Sequence, residues 1–177
     1  MNTVVLTGPE CTGKSTLARG LAAEYGTVFV PETARDYAEK HKRERGRKHY
    51  SYEEIEGIAR MHLEAIEKQK TLANRFLFID THLVIFKVWF LREHRRCPDW
   101  IDIELNKNPC SLYLLCLPDI PWHPDSARQH GGKARDVLFE LYKQELDEYR
   151  LPWQLVQGAG RSRFDCAVTR IRSHFSL

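Results

Sequence analysis

The chain has 177 residues, 42% of them hydrophobic, enough for one compact core and unlike the composition of a disordered protein. Its 27 basic and 24 acidic side chains leave a formal charge of +3, too near balance for a general polyanion binder, so any anion site must be built locally. The five cysteines are odd in number and show neither C-x-x-C pairing nor zinc spacing, and no apolar stretch nears the roughly 18 residues that span a bilayer. The first apolar run is broken at Gly8 and Pro9, before it could act as a signal segment. Together these features predict a single domain over residues 1–177, with reduced thiols in the cytoplasm and no membrane association.

Residues 3–7 read as an apolar strand that runs through a glycine-rich turn into the helical pattern Leu17, Leu21, Ala22, Tyr25. The turn, Gly8-Pro9-Glu10-Cys11-Thr12-Gly13-Lys14-Ser15-Thr16, satisfies G-x-x-x-x-G-K-[ST] in the strand, loop, helix context that this phosphate-binding motif requires. Backbone N–H groups and the helix N-terminus then converge on one anion site. Lys14 is expected to bridge the β- and γ-phosphates, Ser15 to place its hydroxyl on Mg²⁺, and Thr16 to add a phosphate hydrogen bond. Cys11 is not needed for phosphoryl transfer.

A second strand, residues 28–30, leads into Pro31-Glu32-Thr33-Ala34-Arg35-Asp36-Tyr37. Glu32 and Arg35 lie one helical turn apart, a spacing that suits either a hydroxyl-activating carboxylate beside a substrate-holding guanidinium or an ordinary intrahelical ion pair. The following tract, with Lys40, Lys42, Arg43, Arg45, Arg47 and Lys48 opposed by Glu44, reads as solvated surface. Only Tyr50 and Tyr52 follow it, so the interleaved aromatics of a nucleic-acid face are missing. Ser51 and Glu54 form a capping box that opens a long helix with the apolar stripe Ile55, Ile58, His62, Ala65, Ile66, Leu72. His62 on that stripe is expected to be a half-buried, hydrogen-bonded residue rather than a ligand.

Residues 76–79 form a third apolar strand that delivers Asp80 to its C-terminal end, a Walker B pattern in which the carboxylate meets Mg²⁺ through water. A fourth strand spans residues 112–117 and a fifth residues 154–156. Between them, residues 122–132, with Pro118, Pro121, Pro124, Gly131 and Gly132 in or beside them, have the length of a lid. Arg128 and Arg135 flank the two glycines, where closure would bring positive charge to a transferring phosphoryl group. Strands alternating with helices predict an α/β fold, a parallel sheet covered on both faces. The chemistry predicted is that of an ATP- and Mg²⁺-dependent kinase acting on a small molecule. A nucleotide-dependent regulatory switch and a nucleic-acid-linked ATPase are the alternatives. ATP is preferred to GTP because no N-K-x-D-type guanine motif stands in place, Asn106-Lys107-Asn108 being only a superficial match.

Nearly end to end, the sequence resembles the ribosylnicotinamide kinase domain of NadR-type proteins and related small P-loop ATPases of NAD metabolism. The residues that carry the resemblance are Gly8-x-x-x-x-Gly13-Lys14-Ser15-Thr16, Glu32-x-x-Arg35-x-Tyr37, Phe78-Ile79-Asp80-Thr81, and residues 114–121 leading to Trp122 and Arg128. The resemblance implies a three-layer P-loop kinase core with sheet order 2-3-1-4-5, and phosphorylation of the 5′-hydroxyl of nicotinamide riboside. The acceptor contacts expected are Glu32, Arg35, Tyr37, Asp80 and His82, with Glu32 or Asp80 positioning the hydroxyl. Two positions depart from the family pattern. The aromatic residue that precedes the glutamate and stacks the nicotinamide is replaced by Pro31, and the family's Asp-Thr-Asp reads Asp80-Thr81-His82. His82 retains the ability to donate a hydrogen bond to ribose or phosphate.

Overall fold

The computed structural model describes residues 1–34, 37, 49–123 and 132–177. Five strands, β1 (Asn2–Thr7), β2 (Phe29–Val30), β3 (Phe76–Asp80), β4 (Leu112–Cys116) and β5 (Trp153–Val156), pair in the order β2-β3-β1-β4-β5. Every pairing is parallel, and the order matches the one implied by the resemblance. Helices α1 (Lys14–Glu24), α2 (Tyr52–Lys70), α3 (Leu83–His94), α4 (Asp99–Lys107) and α5 (Lys133–Glu148) lie in the crossovers, and α6 (Gly160–Phe175) follows β5. This is the α/β, three-layer architecture.

Alternation along the strands divides the core in two. Val4, Leu6, Phe76, Phe78, Leu112 and Leu114 pack against α1 and α6 through Leu17, Leu21, Ala167 and Ile171. Val5, Leu77, Ile79, Tyr113 and Leu115 face α2 to α5 through Ile55, Ile58, Phe86, Ile101 and Leu138. Because both faces are covered, the strands read as continuous apolar runs without a polar side. Buried Lys87 links three helices: its Nζ lies 3.2 Å from Asp102 Oδ1 and 3.1 Å from Glu145 Oε2 and donates to the Tyr149 hydroxyl.

Helix α2 begins as its sequence predicts. Glu54 N–H donates to Ser51 Oγ at 3.2 Å and Ser51 N–H to Glu54 Oε2 at 2.8 Å. Its apolar stripe ends earlier than expected, since the helix stops at Lys70 and Leu72 lies beyond it, 64% exposed. A crossover helix runs back against its strands, so the start of α2 stands at the C-terminal edge of the sheet. The register aligns Leu6 with Asp80 and Thr7 with Leu115, which brings the ends of β1, β3 and β4 together at that edge. The connection from β1 runs to β2 on one side and the connection from β3 crosses to β4 on the other, so the direction reverses between β1 and β3, and such a crevice is where open α/β sheets bind ligands. Among the described residues no helix is long and apolar enough to cross a membrane.

Candidate nucleotide and acceptor site

The loop after β1 enters through Gly8, whose φ of 136° suits glycine, and a Cβ there would lie 2.7 Å from the Cys116 carbonyl oxygen. The loop passes through Cys11 at φ 57° and Gly13 at φ 77°, and Gly13 caps α1. Thr12 is buried and its hydroxyl donates to the Pro9 carbonyl at 2.9 Å, closing the loop on itself. Lys14 Nζ donates to the carbonyls of Gly8 and Pro9, both at 2.9 Å. Ser15 is half-buried and Thr16 exposed on the first turn of α1. This is a backbone ring at a helix N-terminus with a lysine folded onto it, able to receive phosphate oxygens.

Arg135, from the first turn of α5, is tied to the same loop. It is buried, donates from Nη2 to the Cys11 carbonyl at 3.2 Å and from Nη1 to the Ile120 carbonyl at 2.9 Å, and its Nε has no partner among the described residues. Cys11 also meets the loop after β4: its thiol donates to the Pro121 carbonyl and receives the His123 N–H, both at 3.4 Å. Arg128 and the lid residues 124–131 lie outside the described residues, as do Arg35, Asp36 and positions 38–48, which include the basic tract from Lys40 to Lys48.

At the floor of the crevice Asp80 is 1% exposed, and its Oδ1 has no hydrogen-bond partner among the described residues. Thr7 Oγ1 and Thr81 Oγ1 beside it are buried and equally unpartnered. Such atoms carry a desolvation cost unless a ligand or solvent meets them. Among the described residues no group of three or more His, Cys, Asp or Glu could hold a metal ion. Mg²⁺ in phosphate sites takes one or two carboxylates and completes its shell with water and phosphate, so Asp80 with the Ser15 hydroxyl fits that requirement.

Glu32 follows the end of β2 and is half-buried. Its charge and that of Glu10 both act on Tyr142 of α5: burial first, then these two carboxylates, push the Tyr142 phenol above its ordinary 10.0. Tyr142 on α5 therefore lies within electrostatic reach of both the acid after β2 and the phosphate loop. Tyr37 donates to Glu54 Oε1 at 3.4 Å. With Tyr50 and Trp89 it forms a run of rings at the start of α2, with centroid distances of 6.3 and 5.0 Å.

His62 is completely buried and bridges two loops, its Nε2 lying 2.7 Å from the Thr81 carbonyl and its Nδ1 3.1 Å from Thr33 Oγ1. Burial lowers it to about 4, so the ring is neutral at pH 7. It is more deeply buried than its sequence suggests. His82 is directed elsewhere: its Nδ1 lies 3.3 Å from the Tyr113 hydroxyl and its Nε2 3.8 Å from Cys110 Sγ, and burial lowers it to about 4. With both nitrogens so engaged, the ring presents none to the phosphate loop.

Arg163 and Tyr142 were not singled out in the sequence. Arg163, buried on α6, donates to the Leu117 carbonyl at 2.9 Å, to the Gly158 carbonyl at 2.8 Å and to the Asp119 carboxylate, joining the loops after β4 and β5 beside Gly13. The available signal was the pair Gly158 and Gly160, a second glycine turn where α6, the helix that carries this arginine, begins, and both glycines adopt positive φ.

A family model described as AAA domain matches residues 3–163. The chain belongs to the AAA domain family. Within that family's P-loop fold, it is 27% identical over 176 residues to the trifunctional NAD biosynthesis/regulator protein NadR of Escherichia coli (strain K12), covering 97% of this chain. The chain spans 37% and 42% of the lengths of the two curated NadR relatives it matches. Among solved structures it is similar to a NadR protein in complex with NAD and AMP-PNP, with TM-score 0.81, 17% identity, and coverage of 99% of this chain and 50% of that one. A NadR protein in complex with NR gives TM-score 0.81 at 18% identity, again covering 99% and 50%. A deoxyadenosine kinase from M. mycoides gives 0.63 at 13% identity, covering 97% and 99%. At these identities the likeness to the solved structures is one of fold.

Proposed function

We propose that this chain is an ATP-dependent kinase that phosphorylates a nucleoside, with nicotinamide riboside the leading acceptor. The observation that carries the reading is the convergence on one crevice of a lysine-bearing phosphate loop, a buried arginine bonded to that loop, and a buried Asp80 oxygen without a partner among the described residues. The likeness to NadR, crystallised with NR and with AMP-PNP, supports the choice of acceptor and donor.

In this reading the loop amides and the α1 N-terminus hold the β- and γ-phosphates. Lys14 moves from the Gly8 and Pro9 carbonyls to phosphate oxygens, and Arg135 supplies charge from the opposite side. Ser15 and Asp80 would hold Mg²⁺, which when bound neutralises phosphate charge. The acceptor hydroxyl oxygen forms the new bond to the γ-phosphorus as the bond to the β-phosphate oxygen breaks. ADP leaves, and the hydroxyl proton passes to a carboxylate, Glu32 or Asp80. Arg35, Tyr37 and Arg128 are assigned to acceptor and lid contacts on the family pattern. The rings of Tyr37, Tyr50 and Trp89 give an aromatic base an apolar flank in place of the aromatic residue lost at Pro31. His82 packs against Tyr113 and Cys110 and has no part in the transfer.

The test is phosphorus NMR of ATP incubated with the chain and a nucleoside panel that includes nicotinamide riboside. A new phosphomonoester signal matched by ADP supports the kinase. Hydrolysis that no acceptor accelerates supports the regulatory switch instead.

A further inference from the structure

Thr81 is β-branched yet sits at φ 79°, in the left-handed region that such residues avoid, so something must hold it there. Its N–H donates to the Leu6 carbonyl at 3.1 Å, its carbonyl lies 2.7 Å from His62 Nε2, and its hydroxyl is buried without a partner among the described residues. The other end of the same imidazole meets Thr33, the residue after Glu32. A carbonyl oxygen only accepts, so Nε2 carries the proton. In the neutral ring Nδ1 is then an acceptor, and the Thr33 hydroxyl donates to it. One side chain from α2 thus spans the two loops that bear the candidate proton acceptors, Glu32 after β2 and Asp80 at the end of β3.

We propose that His62, as its Nε2–H tautomer, is a positioning residue for phosphoryl transfer: it holds the Asp80-Thr81 peptide left-handed, so that the Asp80 carboxylate and Thr81 hydroxyl stay turned to the crevice in register with Glu32. The proposal rests on the kinase reading above. His62 does not touch the reacting groups; its effect passes through the Thr81 carbonyl. Among the described residues His62 makes its hydrogen bonds to Thr33 and Thr81 and none to the phosphate loop, so nucleotide binding should be insensitive to its loss. Misplacement of a reacting group by about 1 Å costs on the order of a hundredfold in rate.

Side-chain amides discriminate the two ends of the ring. In a His62→Gln variant the side-chain N–H reaches the position of Nε2 and keeps the bond to the Thr81 carbonyl. The shorter amide of His62→Asn reaches only the position of Nδ1, toward Thr33. Steady-state kinetics with saturating ATP and nicotinamide riboside, AMP-PNP affinity by calorimetry, and long-range ¹H–¹⁵N imidazole spectra of the wild type at pH 7 form the experiment. Expected are an Nε2–H spectrum, a kcat reduced about a hundredfold in His62→Leu with AMP-PNP affinity within about twofold, and recovery to within about tenfold in His62→Gln but not in His62→Asn. Unchanged kcat in His62→Leu, better rescue by Asn than by Gln, or parallel loss of kcat and AMP-PNP affinity would overturn the proposal. If His62→Leu does not fold, the Gln and Asn pair and the spectrum still decide, a protonated or Nδ1–H ring counting against it. A wild type without acceptor-stimulated turnover removes the kinase reading and this proposal together, whereas an active wild type with an unaffected variant removes only the proposal.

Discussion

Acidification is predicted to unfold this chain through two imidazoles. His62 and His82 fall from the ordinary 6.5 to about 4, burial being the largest cause in both. As pH drops below 6.5 the unfolded chain takes up protons that the native chain refuses until about 4. Stability is therefore complete above 6.5, declines through that window, and is indifferent to these groups below 4. Between pH 7 and 5 each histidine should remove about 2 kcal/mol, and about 3 kcal/mol by the end of the window. Charge on His82 opposes charge on His62, so the pair loses stability as a coupled unit. Glu53 and Asp147, held below their ordinary 4.5 and 3.8 by hydrogen bonds, give up their contributions at lower pH, whereas Glu145, raised by burial, takes up its proton earlier in the native chain and offsets part of the loss. Urea unfolding followed by circular dichroism at pH 7, 6 and 5 measures the effect, with His62→Gln and His82→Gln each expected to remove about half of it. A wild-type loss under about 0.5 kcal/mol over that range, or either native ring titrating near 6.5 by NMR, would refute the reasoning.

Three substitutions address the crevice directly. Lys14→Ala removes a side chain whose hydrogen bonds are to its own loop, so the thermal midpoint should hold within a few degrees while turnover falls about a hundredfold or more, measured by coupled ADP release. Asp80→Asn relieves a buried, partly unpartnered carboxylate and should leave urea stability equal or higher while reducing turnover on the order of a hundredfold. Gly8→Ala places a Cβ 2.7 Å from the Cys116 carbonyl at φ 136°, and equilibrium unfolding should show a loss of about 2 kcal/mol or more together with weakened AMP-PNP binding.

The central strands β1, β3 and β4 were legible because each carries a short apolar run buried on both faces, and the start of α2 because its two capping partners are three residues apart. The phosphate loop and Asp80 were legible for the same local reason. Strand order was not readable from any run of residues and came through the resemblance, since pairing depends on chain segments far apart. Leu72 continued the α2 pattern on paper, but the chain had already turned. His82 shows the limit most clearly: its direction is set by Cys110 and Tyr113, 28 and 31 residues away, and nothing in Asp80-Thr81-His82 reveals that a thiol and a phenol wait under the next strand. Tyr142 and Arg163 were missed because helix residues acquire a role here only through which loops they meet.

The distribution of strain separates this crevice from the rest of the molecule. Among the described residues, five other than glycine adopt positive φ: Cys11, Thr81, Arg95, Arg150 and Ser176. Arg95 and Ser176 are the C-caps of α3 and α6, and Arg150 follows the C-cap of α5, so all three close helices in the left-handed conformation that helix ends commonly use. Cys11 and Thr81 close nothing. They stand in the loops that follow neighbouring strands β1 and β3, one holding the carbonyl that receives Arg135 and the other the carbonyl that receives His62. Three of the buried oxygens without partners among the described residues, on Thr7, Asp80 and Thr81, lie along the same edge. Strain and desolvation each cost stability, and their coincidence where the apolar core is otherwise continuous is what a ligand site requires: groups held toward the crevice by structure that has no other use for them.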